Sequence, residues 1–374
     1  MYLKHLSLLN YKNIADAEID FSPKINCLIG SNGEGKTNTL DAIYFLSFTK
    51  SATNAIDSMN IRHGEDMMML QGVYDVNGTE ETFHCGMKAR LKKMFRRGQK
   101  AYQKLHEHIG LLPLVIVSPN DSWLISGGSE ERRKFIDSVI SQFDPSYLPA
   151  LTRYNRALMQ RNALLKLEEP NEDVIATLEE MMAASGEEIF HKRDAFIERF
   201  VPVFQRFYEQ ISQNHEQVGL QYISHCQRGP LLEVIRRDRQ KDLIVGYSLH
   251  GIHKDDLVMT LEGYNIKREG SQGQSKSFLI ALKLSQFEFL KQTGSHTTPI
   301  LLLDDIFDKL DTNRMEQIIQ IVTKEDFGQI FITDTNKDNL SKILARTDGD
   351  YSIFEVSHGV ISVQTIHHKE TEEP

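Results

Sequence analysis

One eight-residue segment constrains the fold of this chain more than any other, Gly30-Ser31-Asn32-Gly33-Glu34-Gly35-Lys36-Thr37. It fits the pattern G-x-x-x-x-G-K-[ST], in which glycines let backbone N–H groups wrap closely around phosphate oxygens. The lysine of such a loop reaches the β- and γ-phosphates of a nucleotide, and the last hydroxyl ligates Mg²⁺. An apolar run from Ile25 to Ile29 precedes the loop and a helical pattern follows it. This setting favours a nucleotide-binding strand–loop–helix unit over a glycine-rich turn with a chance lysine.

A second apolar run ends in two acids, Asp304 and Asp305. Ligands of open α/β sheets bind at the carboxyl ends of the strands, so these acids are expected beside the loop. We predict that Thr37 and Asp304 hold Mg²⁺, with Asp304 acting directly or through water. Asp305 would orient or deprotonate the attacking water, which makes Lys36 and Asp305 the predicted catalytic residues. The alternative is an acid pair that caps the next element.

A third motif, Ser271-Gln272-Gly273-Gln274, opens a helical run from Ser277 to Leu290. A serine and a glycine at the start of a helix offer a hydroxyl and backbone N–H groups to an anion. A plain helix cap would explain the same residues. As an isolated string the motif does not decide between the two.

Strand patterns dominate the two ends of the chain, whereas helical patterns dominate residues 129–212. Strands are predicted over 15–21, 25–29, 300–303 and 330–332, with a closing hairpin over 353–363. Two helices are predicted in the middle, one with a kink at Pro202, and the apolar face of each is predicted to be buried in the core. Their members are Val174, Leu178 and Met181 on one face and Phe196, Phe200, Val203, Phe207 and Ile211 on the other.

Composition and length exclude several classes of protein. A chain of 374 residues is long enough for about two domains. No apolar run is long enough to span a bilayer and the N-terminus lacks a signal-peptide pattern, so we expect a cytosolic protein. Three widely spaced cysteines have neither metal-ligand nor disulfide spacing and are predicted to be buried, reduced thiols.

A basic segment stands out because the net charge of the chain is −9. Residues 88–104 carry eight Lys and Arg residues and no acid, with Phe95 and Tyr102 among them. The predicted DNA contacts are Lys92, Lys93, Arg96 and Arg97, since lysine and arginine bind phosphates irrespective of sequence. The charge alone indicates only a polyanion, and a solvated basic hairpin remains an alternative.

The order of the three motifs resembles that of ABC-type ATPase heads, and within these the chain resembles the RecF family of the SMC-like superfamily. Four segments carry the resemblance: the start through Tyr11-Lys12-Asn13, residues 119–137 with Arg132-Arg133, Gly251-Ile252-His253-Lys254-Asp255-Asp256, and residues 271–311. Two of these segments depart from the family pattern, residues 119–137 at Ser129 and residues 271–311 at Asp308-Lys309. The latter lies in a loop at the family's dimer interface, so the energetics of that interface are open.

The resemblance implies an α/β fold, an ABC-type ATPase head with a mixed-sheet lobe and a mainly helical lobe. The expected lobes are residues 1–115 with 295–374, and residues 116–294. It also implies ATP and Mg²⁺ as cofactors, nucleotide contacts by Lys12, Asn13 and Asn38, and contact of Ser271, Gly273 and Gln274 with the nucleotide of the opposite protomer. Implied partners are double-stranded DNA, its junctions with single strands, RecO, RecR and a second copy of the chain. The implied activity is slow, DNA-stimulated ATP hydrolysis in repair and replication.

Two sequence features separate this family from its rivals. Only 233 residues lie between Thr37 and Ser271, without heptads, whereas chromosome-maintenance proteins insert long coiled coils there. Transporter subunits favour L-S-G-G-Q and lack the Arg132-Arg133 segment. An ABC-type subunit that drives a protein or membrane partner without DNA remains an alternative, as does a nucleotide-gated module with negligible turnover.

Overall fold

Three β-sheets organise the part of the chain that this computed structural model describes, namely residues 1–213, 215–294, 297–307, 310–324, 327–335, 344 and 350–367. The strands are β1 (Tyr2–Tyr11), β2 (Ile14–Asp20), β3 (Ile25–Ile29), β4 (Met67–Val76), β5 (Thr79–Lys88), β6 (Met94–Arg97), β7 (Lys100–Ala101), β8 (Leu114–Val117), β9 (Val218–Ile223), β10 (Asp256–Leu261), β11 (Tyr264–Asn265), β12 (Ile300–Asp304), β13 (Ile330–Asp334), β14 (Tyr351–Ser357) and β15 (Val360–His367). The helices are α1 (Lys36–Phe48), α2 (Trp123–Ser126), α3 (Ser129–Phe143), α4 (Tyr147–Leu164), α5 (Glu172–Ser212), α6 (Leu231–Arg237), α7 (Arg239–Val245), α8 (Ile266–Glu269), α9 (Gln272–Thr293) and α10 (Thr312–Val322). The chain forms two compact units, one from residues up to Asp121 and from Gln286 onward, the other from Ser122–Ser285.

The first unit contains two six-stranded sheets. One is antiparallel, in the order β2-β1-β4-β5-β6-β7, and the other has the order β15-β14-β3-β13-β12-β8. In the second sheet β14, β3, β13, β12 and β8 are parallel, and β15 closes one edge as an antiparallel hairpin. The predicted strands at both ends of the chain are confirmed. All five residues of β3, β12 and β13 are buried, as expected of strands covered on both faces.

The helix that follows the glycine-rich loop, α1, is buried on nearly every side. Leu40, Phe45 and Leu46 share one hydrophobic core with residues of both sheets, including Leu6 and Leu302. Because α1 packs inside this core, the loop at its N-terminus is held in a fixed place.

The second unit is mainly helical, with a small antiparallel sheet in the order β11-β10-β9. The prediction of two separate helices is wrong, because both segments belong to one helix, α5, whose 41 residues run through Pro202 for about 60 Å. Asn171 caps its start by accepting a hydrogen bond from the Val174 amide.

Two predictions about burial are wrong. Val174 and Met181 are exposed, because the buried stripe of α5 passes instead through Ile175, Leu178 and Met182. Cys27 and Cys85 are buried as predicted, but Cys226 is partly exposed. In the described part of the chain, no helix is both long and apolar enough to cross a membrane.

Candidate nucleotide site

The glycine-rich loop lies between β3 and α1. Gly33 and Gly35 have φ values of 85° and 124°, a backbone region that residues other than glycine rarely adopt. A Cβ on Gly30 would lie 2.2 Å from the Val356 carbonyl oxygen, so this position requires a glycine for space. Lys36 is buried, and its Nζ donates to the carbonyl oxygens of Gly30 and Ser31 at 2.7 and 2.8 Å. The ammonium therefore lies inside the curve of the loop, where a phosphate would meet it.

The turn between β1 and β2 supports this loop. The Asn13 side chain donates to the Glu34 carbonyl oxygen at 3.0 Å and accepts from the side-chain amide of Asn38 at 2.8 Å. Lys12 instead pairs with buried Asp41 of α1 at 2.5 Å. In this structure, then, Asn13 and Asn38 contact or adjoin the loop, whereas the ammonium of Lys12 anchors the turn to α1.

A second turn, between β14 and β15, also contacts the loop and was not predicted from the sequence. The Gly359 amide donates to the Glu34 carbonyl at 2.9 Å, and the His358 amide donates to the Glu34 carboxylate. Gly359 has a φ of 80°, and a Cβ there would lie 2.5 Å from the Asn13 carbonyl oxygen. The Ser-His-Gly break in the strand pattern was the available signal, but it identified a hairpin without its position.

The two predicted acids lie where β12 ends. Thr37 Oγ1 donates to Asp304 at 2.9 and 3.0 Å, which brings the two predicted Mg²⁺ ligands together. A hydroxyl and a carboxylate are oxygen donors of the kind that Mg²⁺ prefers, so this pair fits the ion. Asp305 follows in a left-handed backbone conformation, with φ at 49°.

The adjacent strand adds residues that the sequence reading missed. Thr333 at the end of β13 donates its hydroxyl to Asp304 at 2.7 Å, and Asp334 beside it is buried. Parallel pairing of Asp304 with Thr333 brings them to one edge. The polar pair after the apolar run 330–332 was the only signal, and no motif marks it.

Burial and charge oppose each other at this site. Burial lowers the pKa of Lys36, while Asp305, Asp304 and Asp334 act to raise it. Burial also raises the pKa of Asp304 above its usual value, against the hydrogen bonds from Thr333 and Thr37. The site therefore combines a desolvated cation with nearby carboxylates, an arrangement typical of functional sites.

The third motif lies in the second unit, at the start of α9. Ser271 Oγ accepts from the Gln274 amide at 3.2 Å, and Gln274 Oε1 accepts from the Ser271 amide at 2.8 Å. This is a reciprocal helix cap. Gly273 lies in the first turn of the same helix. The helix cap that is the alternative to an anion site is thus present, and Ser271 is exposed at the helix N-terminus.

Two of the segments behind the family resemblance meet within the second unit. Arg132 pairs with Asp256 at 2.6 Å, and Arg133 donates to the Asp255 carbonyl at 2.7 Å. Asp255 also accepts from buried Arg193 at 2.9 Å. His253 contacts the Tyr154 hydroxyl at 2.8 Å. These contacts give the Gly251–Asp256 segment a structural role in joining helices to β10.

The four predicted DNA contacts lie on or beside β6 and differ in their surroundings. Lys93 pairs with Asp57 at 2.7 Å, and Arg97 pairs with Glu81 at 2.6 Å. Lys92 and Arg96 are exposed and have no carboxylate partner among the described residues. Phe95 is buried in the core, so it does not belong to an exposed surface. The departure at Asp308-Lys309 lies outside the described residues.

Comparison with known proteins places these observations in a family. An ATPase family model, described as an AAA ATPase domain, matches residues 1–350. The DNA replication and repair protein RecF of Bacteroides fragilis (strain NCTC 9343) is 58% identical over 97% of this chain and 98% of its own. RecF of Parabacteroides distasonis is 53% identical over 96% and 99%.

Solved structures agree with the sequence relatives. The recombination mediator protein RecF-ATP, of the RecFOR pathway, matches with a TM-score of 0.86 and 28% identity, over 97% of this chain and 98% of that one. An Smc head bound to the C-terminal winged-helix domain of ScpA matches at a TM-score of 0.61, 16% identity and coverage of 99% and 98%. That second likeness shows the fold alone.

Proposed function

This chain belongs to the RecF family of DNA replication and repair proteins, ATPases with an SMC-like head, and from that premise we propose that ATP drives two copies together and thereby controls their binding to DNA. One observation carries the proposal. The loop lysine, the loop threonine and the strand-end carboxylate come together in one site, with Thr37 and Asp304 2.9 Å apart. This is the arrangement that phosphoryl chemistry on a nucleotide requires.

Each residue of the site has a proposed task. The loop from Gly30 to Thr37 binds the phosphates, with Asn13 and Asn38 supporting it. Lys36 neutralises the charge of the terminal phosphates. Asp305 orients the attacking water and accepts its proton. When bound, Mg²⁺ would be held by Thr37 and Asp304 and would supply positive charge to the phosphate oxygens.

The second protomer is proposed to complete the site. Ser271 is exposed at the N-terminus of α9, where its hydroxyl and the Gly273 backbone N–H suit the γ-phosphate held by the opposite copy. Gln274 holds Ser271 in place through the reciprocal cap. Hydrolysis then separates the copies, so turnover limits the lifetime of the dimer. In this proposal the dimer, and not a single copy, hydrolyses ATP.

We propose duplex DNA at gaps and junctions as the ligand that the dimer retains, with Lys92 and Arg96 among its phosphate contacts. RecO and RecR are the proposed protein partners in loading recombinase there, because the solved relatives act in the RecFOR pathway. The comparisons favour this function over an ABC-type subunit without DNA.

Ser271→Arg tests the composite site. An arginine in the γ-phosphate pocket of the partner should abolish ATP-driven dimerisation and hydrolysis, whereas one copy still binds ATP because Lys36 and Thr37 are unchanged. Sedimentation with ATP, ADP and no nucleotide measures the dimer, and phosphate release measures turnover.

A mixture with Lys36→Arg provides the matched control. The heterodimer retains one intact loop and one intact signature on opposite copies, so partial turnover should return. Normal hydrolysis by Ser271→Arg alone would disprove the role in trans, as would a lack of recovery in heterodimers that do form.

A further inference from the structure

Thr333 lies between the two acids of the site and contacts both. Its hydroxyl donates to Asp304 Oδ1 at 2.7 Å and accepts from the Asp305 amide at 3.1 Å. A hydroxyl has one proton to give and two lone pairs, so both bonds form at once. The side chain is fully buried, which excludes water as a ready substitute for either bond.

These two bonds hold the Asp304 carboxylate and the Asp305 backbone in place. The bond to Asp304 occupies one carboxylate oxygen and so fixes the direction of the group that Thr37 also contacts. The bond to the Asp305 amide holds the backbone where φ is 49°, a left-handed conformation that is unfavourable for a residue with a side chain. The Thr333 carbonyl is a second, longer acceptor for that amide at 3.3 Å.

We propose that Thr333 is a positioning residue of the ATPase, which aligns Asp304 towards Mg²⁺ and Asp305 towards the attacking water through one hydroxyl group. This inference rests on the proposed function, because it takes the tasks of the two acids from there. Valine has nearly the shape of threonine without the hydroxyl, and serine has the hydroxyl without the methyl group. The pair therefore separates hydrogen bonding from packing.

Three variants test the proposal: Thr333→Val, Thr333→Ser and, as a control, Cys27→Ala. Cys27 is buried on β3 opposite Ile332, so its truncation disturbs the same sheet without removing a hydrogen bond from either acid. Binding of a fluorescent ATP analogue is measured in EDTA and over a Mg²⁺ titration. Steady-state turnover and the melting temperature are measured on the same samples.

Thr333→Val should bind the analogue in EDTA as the wild type does, because the loop and Lys36 are unchanged. It should need roughly tenfold more Mg²⁺ and turn over roughly tenfold or more slowly, the size of a lost hydrogen bond to a charged group. Thr333→Ser should restore both values to within about threefold, a threshold below the roughly tenfold effect of one such bond.

Two results would overturn the role of Thr333 while the proposed function stands. One is a Thr333→Val protein with wild-type Mg²⁺ dependence and turnover. The other is a loss that serine does not rescue and that Cys27→Ala reproduces, which would reflect packing alone. A wild-type protein that neither binds nor hydrolyses ATP at any Mg²⁺ concentration would overturn the proposed function, and with it the task of Thr333.

Discussion

Charged side chains are buried both at the nucleotide site and in the second unit, but the partners of these charges differ. At the nucleotide site, Lys36 donates to carbonyl groups of its own loop, and Asp304 accepts from two hydroxyl groups. In the second unit, Arg193 pairs with Asp137 and Asp255. Neutral partners leave a charge to act on a ligand, whereas ionic partners cancel it. Burial alone therefore does not identify a functional charge, and the kind of partner does.

The largest effect is expected at the carboxylate proposed to activate the attacking water. Asp305→Asn should lower turnover by about 10²–10⁴-fold, since an amide does not accept the proton of water. ATP binding should persist, and the ATP-bound dimer should last longer. Phosphate release and sedimentation measure the two effects. Turnover within tenfold of the wild type would exclude Asp305 as the water-activating group.

A buried charge that is held in ion pairs, such as that of Arg193, should instead contribute to the free energy of unfolding. Arg193→Met leaves two carboxylates without their cation and should lower the free energy of unfolding of this unit by about 3–5 kcal/mol. Chemical denaturation measures it. Arg153→Met, which removes an exposed pair with Glu188, is the control and should cost less than about 1 kcal/mol. Equal costs for the two variants would contradict the distinction drawn here.

His253 extends the comparison to acid stability. Burial lowers its pKa to about 4, below the ordinary 6.5, so the unfolded chain takes up a proton first as the pH falls. The contribution of neutral His253 to the free energy of unfolding is complete above pH 6.5 and is lost between pH 6.5 and 4. At pH 4.5 the loss amounts to about 2–3 kcal/mol. His253→Gln should therefore flatten the fall in unfolding free energy over that window. An unchanged slope would show that other groups control it.

The smallest effect concerns the basic segment. Replacing Lys92 and Arg96 with alanine should weaken DNA binding and reduce its salt slope by about two, one for each lost phosphate contact. Replacing Lys93 and Arg97 should change the slope less, because Asp57 and Glu81 already neutralise them. Fluorescence anisotropy over a salt series compares the two double variants. A salt slope that stays at the wild-type value when Lys92 and Arg96 are replaced would place the DNA surface elsewhere.

The sequence predicted those parts of the site that are local along the chain. The loop and the acids after β12 could be read directly, because each motif includes the residues that fix its own backbone. Thr333 could not, since its role depends on the parallel pairing of β13 with β12. The ion pairs of Lys93 and Arg97 were hidden for the same reason, as their partners lie outside residues 88–104.

The error in α5 has a different origin. Val174, Leu178 and Met181 have helical spacing, and so does the neighbouring set that contains Ile175, Leu178 and Met182. Spacing alone does not choose between two faces that share Leu178. Packing against α4 and α6 decides it, and that packing is not visible in the sequence.

The backbone conformation at Asp305 limits how far this chain can be stabilised by redesign without loss of its proposed activity. Glycine is the residue that adopts a φ of 49° at least cost, so a redesign guided by folding energy alone would select it there. The redesigned protein would be easier to fold and would lack the carboxylate proposed to activate water. At this position the backbone conformation and the proposed chemistry therefore favour different residues.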